Sequence, residues 1–309
     1  MEPRIQYAKT KDGVSIAYYS IGRGPAVLCL ILPGSHLEAE WRIDSLRMAY
    51  TAAAQGSTFV RLDPRGFGLS DRDPDDFAVD SLVLDIEAVV DRLGLEELRI
   101  YSLGIATVPA LAYTARHPER VTHFVQSPPA ASGEDMSNER LLKLAELAKI
   151  DWELASETMM RTLNAGDPDF TDQLARDFAG LLRASIEFSS FERFLEDMRR
   201  WDADADATSL STPTLLIHNR SNPNFPMART RRVAGLIQTS RVAFVDNGFE
   251  GPLLAQRFFL EGDSPDLTEP GSTQAATPPE AGSMRTILFT DVEGSTALTD
   301  RLGDAAARE

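Results

Sequence analysis

The sequence predicts an α/β fold, with a mostly parallel sheet, an N-terminal antiparallel hairpin and an all-helical cap insertion. Three observations carry that prediction. Short continuous apolar runs of strand length recur along the chain, and amphipathic helical patterns separate most of them. One long interval, from about Ser137 to Trp201, is helical in pattern throughout and shows no strand signal. Alternation of strand and helix gives a parallel sheet covered on both faces, because each crossover must return the chain to the same end of the sheet.

The elements follow in order. From Ile5 to Ile21 apolar and polar residues alternate around Lys11-Asp12-Gly13, and Asp-Gly supplies the positive φ that a hairpin turn needs. Strands are predicted at Ala26–Leu32, Thr58–Leu62, Leu98–Tyr101, Val121–Gln126, Thr214–His218 and Arg241–Val245. Helices are predicted at Ile43–Ala54, Ser81–Leu93, Ile105–Arg116, Ala228–Ile237 and Leu253–Leu260. Within the helical interval Asn164-Ala-Gly-Asp-Pro168 marks a break, and the insertion as a whole runs over about 131–207. Such an insertion lies over the C-terminal edge of the sheet, where ligands bind in open α/β folds. The Asp202-Ala-Asp-Ala-Asp206 run reads as a solvated surface loop. Residues 261–283, rich in Pro, Ser, Thr, Gly and acids, read as an extended linker, and 284–309 as the first strand and helix of a further, incomplete domain.

Composition narrows the function classes. With 31 Lys+Arg against 47 Asp+Glu the formal net charge is −16, which argues against nucleic acid or an anionic membrane as partner, since both require a positive face. The longest apolar run falls short of the roughly 20 residues of a spanning helix, and the N-terminus lacks a signal peptide's pattern. The expectation is a soluble cytoplasmic protein. The single Cys29 lies in an apolar strand and reads as a buried core residue.

Three local motifs carry a family resemblance. They are Gly34 followed by Ser35-His36-Leu37-Glu38-Ala39-Glu40-Trp41, then Asp63-Pro-Arg-Gly-Phe-Gly-Leu-Ser-Asp71, then Ala115-Arg-His-Pro-Glu-Arg-Val121. Their order and spacing resemble the α/β-hydrolase superfamily over roughly residues 5–260. The resemblance implies a nucleophile at a strand-to-helix elbow, then an acid and a histidine in chain order. Spacing from Pro118 puts the nucleophile position at Gly104, within Ser102-Leu-Gly-Ile-Ala106. The acid position falls on Asn222 and the histidine position on Glu250. All three are degenerate, so no catalytic residue is expected. A ligand pocket is expected at Gly34, Ser35, Gly104 and Ile105, open to a small molecule under the cap, with no cofactor. The competing possibility makes Ser102 the nucleophile of a non-standard esterase or lipase.

A second resemblance lies at the C-terminal end. Arg285-Thr-Ile-Leu-Phe-Thr-Asp291-Val-Glu-Gly-Ser-Thr296, with Leu302-Gly-Asp304 following, resembles the opening of class III adenylate/guanylate cyclase domains. It implies that Asp291 is one carboxylate of a Mg²⁺ or Mn²⁺ site, and that a complete cyclase is a homodimer. Together the two resemblances lead to the expectation of a non-catalytic regulatory or ligand-sensing region of a nucleotidyl cyclase. The alternative is an α/β-hydrolase (esterase or lipase) with a non-standard catalytic constellation.

Overall fold

Thr10 and Gly13 close the first hairpin. Gly13 sits at φ +90°, its N–H donates to the Thr10 carbonyl at 3.0 Å, and β1 (Gln6–Lys9) pairs antiparallel with β2 (Ser15–Gly22). The computed structural model describes residues 3–137, 139–248 and 250–261. They belong to a compact unit formed by residues 1–270. The segment 284–309, with Asp291, lies outside the described residues.

After the hairpin the chain alternates as its pattern predicts. It runs through β3 (Ala26–Leu32), a 3-10 turn (Ala39–Arg42), α1 (Asp44–Ala53), β4 (Thr58–Leu62), α2 (Val79–Leu93), β5 (Leu98–Gly104), α3 (Thr107–Arg116) and β6 (Val121–Ser127). The insertion follows, with α4 (Gly133–Met136), α5 (Glu139–Ala148), α6 (Trp152–Leu163), α7 (Asp172–Ser185), α8 (Phe188–Met198) and α9 (Asp204–Ser209). The chain then returns through β7 (Thr214–Asn219), α10 (Met227–Leu236), β8 (Ser240–Val245) and α11 (Glu250–Glu261). The sheet order is β1-β2-β4-β3-β5-β6-β7-β8. The strands from β4 to β8 run parallel, and β2 pairs antiparallel with β4.

Period-two alternation divides the sheet into two buried faces. Leu28, Leu30, Leu32, Ile100, Phe124 and Leu216 pack under α2 and α3, whereas Cys29, Tyr101, Val125, Leu215 and Ile217 pack under α1 and α11. Burial pushes the Cys29 thiol up to about 11, so it stays a neutral core side chain.

Two expectations change. β5 extends past Tyr101 to Gly104 because both neighbours continue the ladder, with Leu32 opposite Gly104 and Leu103 opposite Ser127. The acidic run from Asp202 is also more than a surface loop. Its second half is α9, held by Arg232 bridging Asp204 and Asp135 and by Arg116 on Asp206.

A buried polar network joins β4 to the loop that follows β3. Arg61, fully buried in β4, donates to Glu40 through Nε at 3.2 Å and Nη2 at 2.5 Å, to the Cys29 carbonyl at 2.8 Å and to Ser35 Oγ at 3.2 Å. Next to it Asp63 accepts from Ser35 Oγ (2.7 Å), Leu37 N–H (3.1 Å) and Leu69 N–H (2.8 Å). Gly66 and Gly68, at φ +79° and +53°, curl the following loop back on it, and a Cβ at Gly68 would collide with the Asp63 carboxylate.

Burial, with the Glu40 carboxylate adding to it, pushes Asp63 up to about 7, against the hydrogen bonds that favour its ionised form. An unfolded Asp titrates near ~3.9. Between those values the folded chain binds more protons than the unfolded chain, so stability is fullest below the lower value and is lost as pH rises through the higher one. The expected outcome is a free energy of unfolding, from urea titration, that falls from pH 5 to pH 7 by at most about 1.4 kcal/mol per pH unit from this group. Asp63→Asn should flatten that slope, and an unchanged slope would show that Asp63 does not cause it.

Candidate active site

The strand ends gather the residues that the sequence singles out. Gly104 ends β5 at φ +62°, the left-handed conformation in which a side chain is strained, immediately before α3 begins at Thr107. It is therefore a strand-to-helix turn at a residue without a side chain. A Cβ on Gly104 would meet the Leu32 carbonyl oxygen well inside van der Waals contact. The next amide, Ile105 N–H, donates to that same oxygen at 3.0 Å. This corrects the expectation for Ile105: its N–H is already bonded to the neighbouring strand and is not free to hold a ligand head.

Gly34 and Ser35 also take defined positions. Gly34 turns at φ +88°, and a Cβ there would lie 3.9 Å from Leu182 Cα, so α7 of the insertion passes directly above it. Ser35 is fully buried, and its hydroxyl bonds to Asp63 Oδ1 and the Leu62 carbonyl. Of the pocket residues expected from sequence, Gly34 and Gly104 lie at the ends of paired strands, while the Ser35 side chain belongs to the buried network. His36 lies on the same loop. Ala39 N–H donates to its Nδ1 at 3.3 Å, leaving Nε2 to carry the hydrogen of the neutral ring. Burial first, then the nearby Arg72 guanidinium, holds its pKa below the usual imidazole range, so it is neutral at pH 7.

The other two positions are occupied by side chains already in use. Asn222 Nδ2 donates to the Leu163 carbonyl at 2.6 Å, and its Oδ1 accepts from Asn224 N–H at 3.0 Å. Glu250 opens α11. Its carboxylate accepts from Asp246 N–H at 3.2 Å and Asn247 Nδ2 at 3.0 Å, while its own N–H donates to Asn247 Oδ1, a reciprocal arrangement that satisfies the orphan donors of a helix start. Position 251 is a glycine, at which a Cβ would lie 3.2 Å from Tyr101 Oη and 3.9 Å from Ser127 Oγ. The first turn of α11 thus packs on the Tyr101 side chain, from the middle of β5, and on Ser127 at the end of β6.

The Ser102 alternative fails on geometry. Its side chain is fully buried two residues before the elbow, and Oγ donates to the Val125 carbonyl at 2.9 Å. His218 bonds Thr230 Oγ1 at 2.9 Å inside the fold. Among the described residues no group of three or more His, Cys, Asp or Glu side chains is placed to hold a metal ion. No helix among them is long and apolar enough to cross a membrane.

Fold, elbow and curled Asp63 loop define the class, and the chain belongs to the α/β-hydrolase fold family, whose model matches residues 27–191. The AB hydrolase superfamily protein YisY of Bacillus subtilis (strain 168) is 24% identical over 257 residues, covering 78% of this chain and 91% of that protein. Among solved structures, a meta-cleavage product hydrolase from Pseudomonas fluorescens IP01 matches at TM-score 0.66 and 24% identity, covering 84% of this chain and 98% of its own. The esterase RhEst1 from Rhodococcus sp. ECU1013 matches at TM-score 0.68 and 19% identity, covering 85% and 99%.

These likenesses overturn the expectation of a non-catalytic regulatory region of a nucleotidyl cyclase. The two solved structures are named as a hydrolase and an esterase, and the family match falls on the hydrolase region. Sequence reasoning singles out Gly104, Asn222 and Glu250 and gives no role to Arg61, Glu40, Asp167 or Asn224, whose side chains hold the buried network and the loops at the insertion. The mid-strand arginine in Thr58-Phe-Val-Arg-Leu62 was the available signal for the buried pair, because a cation in a strand buried on both faces demands a partner.

Restoring the missing hydroxyl should not restore a serine enzyme. Gly104→Ser is expected to lose about 1–3 kcal/mol in urea unfolding, through the crowded Cβ and the left-handed backbone. It should stay unlabelled by a fluorophosphonate probe, as should wild type and Ser102→Ala. Strong labelling of Gly104→Ser would mean that the end of β3 yields and the elbow is intact.

Proposed function

We propose that the chain is an α/β-hydrolase that cleaves a carboxylic ester of a small molecule by direct attack of water, without a serine ester as intermediate. The observation that carries this is Gly104. The resemblance puts the reacting centre at the end of β5, and the residue there has no side chain to acylate. Membership of the hydrolase family and likeness to an esterase support hydrolysis as the reaction. The substrate enters beneath the helical insertion, between Gly34 and Gly104.

Glu250 acts as the base. It stands where the resemblance implies a histidine, on the turn of α11 that packs against the Tyr101 side chain and Ser127 at the end of β6. A water above Gly104 attacks the carbonyl carbon and gives its proton to Glu250. The N-terminus of α3 and the Nε2–H of neutral His36 stabilise the oxyanion. Collapse of the tetrahedral intermediate breaks the bond to the alkoxide, and Glu250 returns the proton to it, so that acid and alcohol leave and the enzyme is regenerated.

Purified protein is expected to hydrolyse para-nitrophenyl butyrate above the buffer rate and to stay active after fluorophosphonate treatment. Glu250→Gln should lower kcat by about 100-fold or more. Absence of hydrolysis by wild type, or an unchanged kcat in Glu250→Gln, would overturn the assignment.

A further inference from the structure

The loops that follow β7 and β8 both reach the same short turn of the insertion. Asn222 Nδ2 donates to the Leu163 carbonyl at 2.6 Å, and Asn224 Nδ2 donates to the adjacent Thr162 carbonyl. These are carbonyls of the last turn of α6, and that of Thr162 also accepts Ala165 N–H at 3.2 Å. From the other loop, Gly248 N–H donates to Asp167 Oδ2 at 2.7 Å. Between these contacts Gly166, at φ +87°, passes so close to the Ser221 carbonyl that a Cβ would collide with it. The α6–α7 turn is therefore clasped from two sides by the loops where the acid and histidine positions fall.

We propose that these two loops form a latch that holds the helical insertion down over the sheet edge, with Asn222, Asn224 and Asp167 as its fastening groups. The chemistry of position 222 follows from this. A carboxylate accepts hydrogen bonds and donates none, so Asp at 222 would face the Leu163 carbonyl with repulsion, whereas the amide donates. Asn224 is almost fully buried and also donates to Asn222 Oδ1 at 3.0 Å, which orients the amide and leaves its Nδ2 for the cap. The opposite end of α7 is tied separately, by Gly68 N–H on the Ser185 carbonyl at 2.7 Å and Arg72 on Ala184. Release of the α6–α7 turn alone would thus lift one end of the insertion and leave the other seated, opening the edge above Gly34 and Gly104. The latch is independent of the chemistry proposed for Glu250, because it consists of hydrogen bonds between the body and the insertion.

Hydrogen exchange of the full chain, read by mass spectrometry, tests it without reference to activity. In Asn222→Asp, amide exchange across 163–170 is expected to accelerate about tenfold, the effect of losing a buried hydrogen bond to a local opening. Exchange in β3, β5 and β6 should stay at the wild-type rate. Asp167→Ala approaches the latch from the insertion side and should produce the same local acceleration, so a folding defect in one variant leaves the other informative. Arg193→Ala cuts a different tie, the one from α8 to Asp73 and the Pro74 carbonyl, and should leave 163–170 unchanged. Wild-type exchange at 163–170 in both latch variants, or acceleration spread evenly over the sheet, would overturn the proposal.

Discussion

The buried Arg61–Glu40 pair is the constraint on which the rest of the site depends. An arginine inside a strand covered on both faces is tolerable only if its charge and its donors are matched, and here a carboxylate, a backbone carbonyl and a serine hydroxyl match them. Removing one partner would strand the other charge in the interior, at about 3–5 kcal/mol. The pair fixes the loop after β3, since Glu40 and Ser35 both lie on it. Through Ser35 it reaches Asp63, which binds amides from two loops, Leu37 on one and Leu69 on the other. The loop that carries Gly34 and His36 is thus held by ionic chemistry beneath it as well as by the buried Leu37 and Trp41.

At that edge the family fold persists, and the residues at positions 104, 222 and 250 each take part in local structure. Gly104 keeps the left-handed turn of an elbow, yet the space a side chain would need is limited by the Leu32 carbonyl, which also captures the Ile105 amide. Asn222 donates to the insertion and Glu250 caps a helix. In the mechanism proposed above the nucleophile comes from solvent for this reason, and water and substrate would both pass an insertion that is tied to the body. The aromatic cluster of Phe67, Phe77, Phe194 and Trp201, with the Trp201 indole N–H on the Phe77 carbonyl, seats α8 on the body.

Much of this was legible in the sequence for reasons that can be stated. Ala26–Leu32 and Thr58–Leu62 appear as strands with the expected ends, because burial on both faces leaves a continuous apolar run whose limits are sharp. The elbow was found by its spacing from Pro118. Other features depend on partners distant in the chain, and no local pattern encodes them. The extension of β5 to Gly104 comes from pairing with Leu32 and Ser127, and the capture of the Ile105 amide follows from that register. Alternating Asp and Ala from Asp202 reads as a loop until Arg232 and Arg116 are brought against it to stabilise α9. Likewise Asn222 reads as a lost acid, and only the position of the Leu163 carbonyl shows why a donor is required there.

Direct attack by water rather than by an enzyme side chain is the central claim, and intact-protein mass spectrometry of acid-quenched turnover mixtures tests it most directly. During hydrolysis of a slow ester the protein should keep its unmodified mass at every time point while acid and alcohol accumulate in equal amounts. A transient mass increase equal to the acyl group, rising and decaying with product formation, would contradict it and place a covalent nucleophile in the site.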